Sequence, residues 1–156
     1  MTDEIGETDF RRIVVRRGER TTWNGNNGAF KAYATLRISR DGLEPSAVLE
    51  ALGLSPSKAD VSATGFGTWN YSTRDLLDNL RPLEEHVLHI VQLLEPRSSA
   101  VVALAEKFAA DVFCYFASRS DLGGFHLSSE TLLRLGRLKL DFDADEYFCC
   151  DDSSDA

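Results

Sequence analysis

Residues 30–39 (FKAYATLRIS) alternate between apolar and polar side chains. The apolar positions share one parity and the polar positions share the other, which is typical of a strand with one buried face. Residues 58–63, 68–73, 111–117 and 139–148 are predicted to be further strands. Aromatic side chains on both faces of residues 111–117 indicate that this strand lies in the interior of a sheet.

Helical periodicity separates these strands. The clearest case is residues 82–94, where one apolar stripe is formed by Leu83, Val87, Ile90, Val91 and Leu94. Pro45 suits the first position of an earlier helix, and Gly53 suits the left-handed conformation that ends it. Two further helices with serine caps are predicted over residues 98–108 and 128–137.

This order of elements predicts one α+β domain, and the length of 156 residues agrees with a single domain. The first six elements match a ferredoxin-like βαββαβ core, followed by an added helix and strand. We therefore expect a mainly antiparallel sheet with helices on one face, with a mixed sheet of another order as the alternative. We expect residues 29–148 to form this domain, residues 1–28 to form an N-terminal arm or extra strand, and residues 149–156 to form an acidic disordered tail.

Charge is distributed unevenly along the chain. The formal net charge is −8, and residues 141–156 hold seven of the 25 acidic residues and no basic residue. Residues 11–20, in contrast, hold five arginines and one acidic residue. Because Asp141, Asp143 and Asp145 share one parity of the last strand, we expect them to form an outward acidic row. Such a row is either a solvated face that discourages edge pairing or a face that binds a basic partner.

Several classes of function are disfavoured. The N-terminal residues lack the apolar core of a signal peptide, and no apolar run approaches the 18 residues of a membrane span, so we expect a cytoplasmic protein without a membrane partner. Cys114, Cys149 and Cys150 are odd in number and lack zinc-ligand spacing, which predicts reduced thiols. The net acidic charge disfavours a nucleic-acid partner for the arginines of residues 11–20.

Candidate catalytic groups are sparse. His86 and His89 are three residues apart on a predicted helix and would hold a metal ion only with a third ligand, such as His126. A solvated polar helix face explains this pair as well. Ser128 and Ser129 are explained as helix caps, since no glycine-flanked nucleophile elbow surrounds them. We therefore expect no enzyme, no metal and no cofactor.

Several short segments carry a family resemblance. They are LRIS from Leu36, LEPSAVL from Leu43, GTW from Gly67, GGFHLSSETL from Gly123 and LDFD from Leu140. Together they resemble the bacterial domain-of-unknown-function family 4279 over residues 33–148. The resemblance implies a small soluble bacterial domain and assigns no activity. Some immunity-type proteins of toxin systems are similar in size and acidity, which is an analogy.

These observations predict a non-enzymatic bacterial binding protein, immunity-like or antitoxin-like, that masks a basic protein surface. The predicted contact residues are Asp141, Asp143, Asp145, Glu146, Trp69 and Tyr71. The alternative is a small-molecule-sensing or regulatory domain without catalysis, which would hold its ligand between sheet and helices. The sequence leaves open whether residues 11–20 dock on the acidic strand, and it does not indicate an oligomeric state.

Overall fold

The computed structural model describes residues 31–118 and 124–148, which form a five-stranded sheet and four α-helices. The strands are β1 (Lys31–Asp41), β2 (Lys58–Val61), β3 (Phe66–Ser72), β4 (Ala109–Ser118) and β5 (Asp141–Phe148). The helices are α1 (Pro45–Leu52), α2 (Leu83–Leu94), α3 (Ser98–Lys107) and α4 (Ser129–Arg137), and a 3-10 turn over Glu95–Arg97 joins α2 to α3. The predicted arm over residues 1–28 and the predicted tail over residues 149–156 lie outside the described residues.

The strand order in the sheet is β2-β3-β1-β4-β5. β1 pairs antiparallel with β3 and β4, β2 pairs antiparallel with β3, and β5 pairs parallel with β4. The predicted α+β class is confirmed, but the sheet is mixed rather than mainly antiparallel. The physical reason is α4, because a helix that connects two neighbouring strands by a crossover returns the second strand in the direction of the first. The ferredoxin-like assignment stays a prediction.

The side chains of β1 alternate between the two sides of the sheet. Its even-numbered residues are buried under the helices, as the alternation predicts: Ala32, Ala34, Leu36 and Ile38. β4 contributes Val112, Cys114 and Phe116 to the same core, and α2 covers them with Val87, Ile90, Val91 and Leu94. Each fully buried Leu, Ile or Val side chain contributes about 1.5–3 kcal/mol to folding, so this layer provides much of the stability.

The helix ends follow the sequence signals in two of three cases. Gly53 ends α1 with a φ of 64°, and Ser128 caps α4 by accepting a hydrogen bond from the Thr131 N–H at 3.2 Å. α3, however, has no serine cap. The 3-10 turn before it already supplies a carbonyl acceptor, because the Ser98 N–H donates to the oxygen of Glu95.

Glu84 fixes α4 against α2. Its carboxylate is buried although its position in the sequence predicts a solvated face. Oε1 accepts hydrogen bonds from the Ser128 N–H and the Thr131 hydroxyl, both at 2.7 Å. A carboxylate at a helix N-terminus satisfies amide groups that have no partner within the helix. Because β5 follows α4 directly, these bonds also help to position β5.

The helical run Leu83–Lys107 is long and apolar enough to cross a membrane by length and composition, since an 18-residue window within it has a mean hydropathy of 1.2. Within the fold, the apolar stripe of α2 packs against β1 and already has an apolar partner. The expectation that the chain has no membrane partner stays a prediction.

Gly67 lies where β3 passes the backbone of Leu43. A Cβ at this position would overlap the Leu43 carbonyl oxygen, and a backbone atom cannot rotate away as a side chain can. We expect Gly67→Ala to lower the free energy of unfolding by about 1–3 kcal/mol or more. Urea denaturation measures this change. The control is Gly136→Ala in α4, where an added Cβ would meet no atom of another part of the fold within 4 Å, and it should raise stability by about 0.5–1 kcal/mol. Similar effects of both substitutions would contradict the close approach.

Candidate functional site

One side of the sheet has no helix over it within residues 31–118 and 124–148. The buried apolar side chains of β1 and β4 point to the helices, and the side chains between them, including the buried Thr35, point the other way. We call this second side the open face. Its central members are Tyr33 and Arg37 on β1, Asp111, Phe113 and Tyr115 on β4, and Asp141, Asp143, Asp145 and Tyr147 on β5.

Three tyrosines stack across neighbouring strands of the open face. The ring centroids of Tyr33 and Tyr115 are 4.9 Å apart, and those of Tyr115 and Tyr147 are 5.1 Å apart. The guanidinium of Arg74 lies 5.6 Å from the centroid of Tyr33, at the end of this tyrosine row. Burial raises the pKa of Tyr33, so its phenol stays neutral at physiological pH. Tyr33 therefore adds no charge to the aromatic strip that the three rings form.

Arg37 connects three strands beside the tyrosine row. Its Nε and Nη2 donate to Oδ1 and Oδ2 of Asp111, both at 2.7 Å, and Nη2 also donates to Oδ2 of Asp143 at 2.9 Å. The guanidinium carbon lies 4.5 Å from the ring centroid of Phe113. The hydrogen bonds to Asp111 are the main cause that raises the pKa of Arg37. The open face thus holds a guanidinium with carboxylates at its edge and an aromatic ring against its plane.

The structure places the predicted acidic row on the open face. Asp143 pairs with Arg37, and its side chain is 58% exposed. Asp141 and Asp145 have no ion-pair partner among the residues that the structure describes, although the Tyr147 hydroxyl donates to Oδ2 of Asp145 at 3.5 Å. These two carboxylates on β5, of which Asp145 lies beside the tyrosine row, give this edge of the face a negative potential.

Three predicted contact residues lie on the other side of the sheet. Trp69 is 0% exposed within the core, and Tyr71 is half-buried with its hydroxyl 3.4 Å from Nε2 of His89. Glu146 is exposed, but it has the parity of Phe116, which is buried under the helices. The alternation of β3 and β5 explains this outcome, because every second side chain points to the helices. These residues are therefore not part of the open face.

Sequence patterns alone do not single out the tyrosine row. Tyr33 shares its parity with Lys31 and Arg37 rather than with the buried alanines, and this is the one local signal of its exposure. The pairing of Tyr33 with Tyr115 joins strands that are distant in the chain. A shift of one residue in this register would separate the rings, and no local pattern fixes the register.

The buried titratable groups have structural partners. His86 is fully buried, its Nε2–H donates to the Asp78 carbonyl at 3.2 Å, and its Nδ1 accepts from the Thr73 hydroxyl at 2.7 Å. Thr73 Oγ1 accepts from the Ala34 N–H at 3.0 Å, which links α2 to β1.

Burial raises the pKa of the Cys114 thiol to about 12, which makes it a poor nucleophile. No group of three His, Cys, Asp or Glu side chains within the described residues is arranged to hold a metal ion.

A family model described as "Domain of unknown function (DUF4279)" matches residues 30–149. The match includes every strand and helix described above and agrees with the resemblance over residues 33–148. A search of curated proteins found no match, and a search of solved structures found none either.

His86 predicts a pH dependence of stability. Burial is the main cause that lowers the pKa of His86, so below about pH 6.5 the unfolded chain binds a proton that the folded chain does not. The free energy of unfolding should therefore fall as the pH falls from 7.5 to 5.5, by at most about 1.4 kcal/mol per pH unit. Urea midpoints at both pH values measure this slope.

The matched variants for this measurement are His86→Gln and His126→Gln. His86→Gln should flatten the slope because it removes the titrating group. His126→Gln is the control, because it removes an exposed imidazole and leaves the hydrogen bonds of His86 intact. If the free energy of unfolding has the same pH slope in both variants, the assignment of this pH dependence to His86 is wrong.

Proposed function

The chain belongs to the DUF4279 family, whose description assigns no activity, and we therefore propose its function from the open face. The protein is a bacterial, cytosolic binding protein without catalysis, and its open face binds a basic surface of a protein partner. An immunity-like or antitoxin-like role is its most concrete form. One observation carries the proposal: the tyrosine row lies beside Asp145, Asp141 lies on the same face farther along β5, and both are exposed carboxylates without an ion-pair partner among the described residues.

The tyrosine row supports the affinity of such a contact. Tyrosine is enriched at binding hot spots because it buries a large ring, has few rotatable bonds and keeps a polar hydroxyl. Tyr33, Tyr115 and Tyr147 already constrain one another by stacking. Their side chains consequently lose little further freedom when a partner covers them.

The acidic row supports the rate and the specificity of binding. Opposite charges on two proteins accelerate their encounter, and salt weakens this effect because the Debye length is about 8 Å at physiological ionic strength. Asp141, Asp143 and Asp145 are all on β5, which is exposed and is the last strand of the sheet among the described residues, so they meet an approaching protein early.

The size of the open face limits the kind of contact. Four strands spaced about 4.8 Å apart, with about eight residues rising about 3.3 Å each, span roughly 20 by 25 Å. That is roughly 500 Å², whereas a standard interface buries roughly 800 Å² on each partner. The partner therefore also contacts the edge of β5 or the segments beside the face.

The assignment of a ferredoxin-like fold to the first four strands is part of this proposal. The order β2-β3-β1-β4 with antiparallel pairing supports a ferredoxin-like core, since the helices lie in its two crossovers. In this assignment β5 and α4 are an addition at one edge. The acidic row then belongs to the added unit, and the tyrosine row joins this unit to the core.

The test compares the unaltered chain with the variant D141N/D145N, which leaves the Arg37–Asp143 pair intact. Proteins retained from a bacterial lysate by the unaltered chain and lost by the variant identify a partner, which is then purified. At low salt the variant should associate with this partner about tenfold more slowly, because steering by charge is lost. At high salt the difference should shrink. Biolayer interferometry at two salt concentrations measures both rates.

The matched control is E50Q/E106Q, which removes two exposed negative charges from the helices. It should associate at nearly the unaltered rate, since its charges lie away from the open face. If D141N/D145N and the control have equal association rates, or if both retain the same proteins as the unaltered chain, the proposed function is wrong.

A further inference from the structure

The free carboxylates of the open face and the arginines of the same chain are complementary in charge. Asp141 and Asp145 have no ion-pair partner among residues 31–118 and 124–148. Residues 11–20 hold five arginines and one acidic residue. The family match begins at residue 30, so these arginines lie outside the matched domain.

The chemistry of the open face favours guanidinium groups. Arg37 is held by two carboxylates and the ring of Phe113, and Arg74 lies over the ring of Tyr33. At the other edge, Asp145 pairs in register with Tyr115, and the Tyr147 ring stacks on Tyr115. Asp145 and the two tyrosine rings thus resemble the carboxylates and the ring that hold Arg37, but no arginine among the described residues lies between them. An arginine fits this place better than a lysine, because a planar fork both stacks on a ring and binds a carboxylate through two N–H groups.

The connection to β1 is long enough. Lys31 at the start of β1 pairs with Ala117, and Ser118 at the end of β4 pairs with Phe148. The start of β1 and the end of β5 are therefore at the same end of the sheet, two strand spacings or about 10 Å apart. Residues 21–30 span up to about 35 Å when extended. Asp141 lies about 25 Å from the start of β1 by the same geometry, which is within this reach.

From these three observations we propose that residues 11–20 dock on the open face of their own chain, with arginine side chains at Asp141 and Asp145 and against the tyrosine row. A connection of ten residues gives the segment an effective concentration of about 1 mM at the face. If the free segment binds with a Kd of about 0.1 mM, it occupies the face about nine-tenths of the time and weakens a competing partner about tenfold. This competition rests on the proposed function, whereas the docking itself does not.

The test uses a fluorescent synthetic peptide of residues 8–21 and two full-length proteins. One protein is the unaltered chain, and the other carries Arg→Gln substitutions at Arg11, Arg12, Arg16, Arg17 and Arg20. Fluorescence anisotropy should show about tenfold tighter peptide binding to the substituted chain, because its open face is vacant. Adding D141N/D145N to the substituted chain should remove this binding. A peptide with lysine in place of its arginines should bind more weakly.

The control is R81Q/R137Q, which removes two exposed arginines distant from the open face and should bind the peptide like the unaltered chain. Equal peptide affinity for the unaltered and substituted chains overturns the docking. If the unaltered chain forms a dimer that the substitutions dissolve, the segment docks on a second copy and the intramolecular proposal is wrong.

The outcomes separate this proposal from the proposed function. If the association rate of a partner depends on Asp141 and Asp145 but not on the five arginines, the docking of residues 11–20 is wrong and the proposed function stands. If the peptide binds as expected but, in the chain that carries the five Arg→Gln substitutions, the association rate of no partner depends on Asp141 and Asp145, the docking stands and the proposed function is wrong.

Discussion

The pairing of β1 on both of its edges is the interaction on which the other features depend. β3 and β4 both bind β1 in antiparallel register, so its backbone is satisfied and its two sets of side chains are committed to opposite sides. One set belongs to the core and consists of Ala32, Ala34, Leu36 and Ile38. The other set includes Tyr33 and Arg37 at the centre of the open face. A shift by one residue would exchange these two sets, so the core and the open face are specified together.

Local signals in the sequence were sufficient for most of the elements. The period of two in residues 30–39 predicts β1, the apolar stripe predicts α2, and Gly53 and Ser128 mark helix ends that the structure confirms. These features depend on contacts within one turn or one strand. Their physical cause is therefore contained in a short window of the chain.

Features that depend on distant contacts were not predictable in this way. Glu84 and His86 have polar side chains but are buried, because Ser128, Thr131 and Thr73 satisfy them from other elements. The direction of β5 depends on how α4 packs, and the tyrosine row depends on the register of three strands. Trp69 is a large aromatic residue on a short strand, and only the assembled sheet decides that it points to the helices.

β5 is bonded to the sheet along one edge only within the described residues, and nearly all its side chains are exposed. Strands with one bonded edge and little burial open at a lower free energy than the core. Arg37 counteracts this opening, because it reaches from β1 across Asp111 to Asp143 on β5. Any ligand that covers β4 and β5 together would act in the same direction. The exchange of the β5 amide hydrogens with solvent should therefore slow when any ligand covers the open face. Hydrogen exchange of this one strand thus reports whether the face is occupied, even when the ligand is not identified.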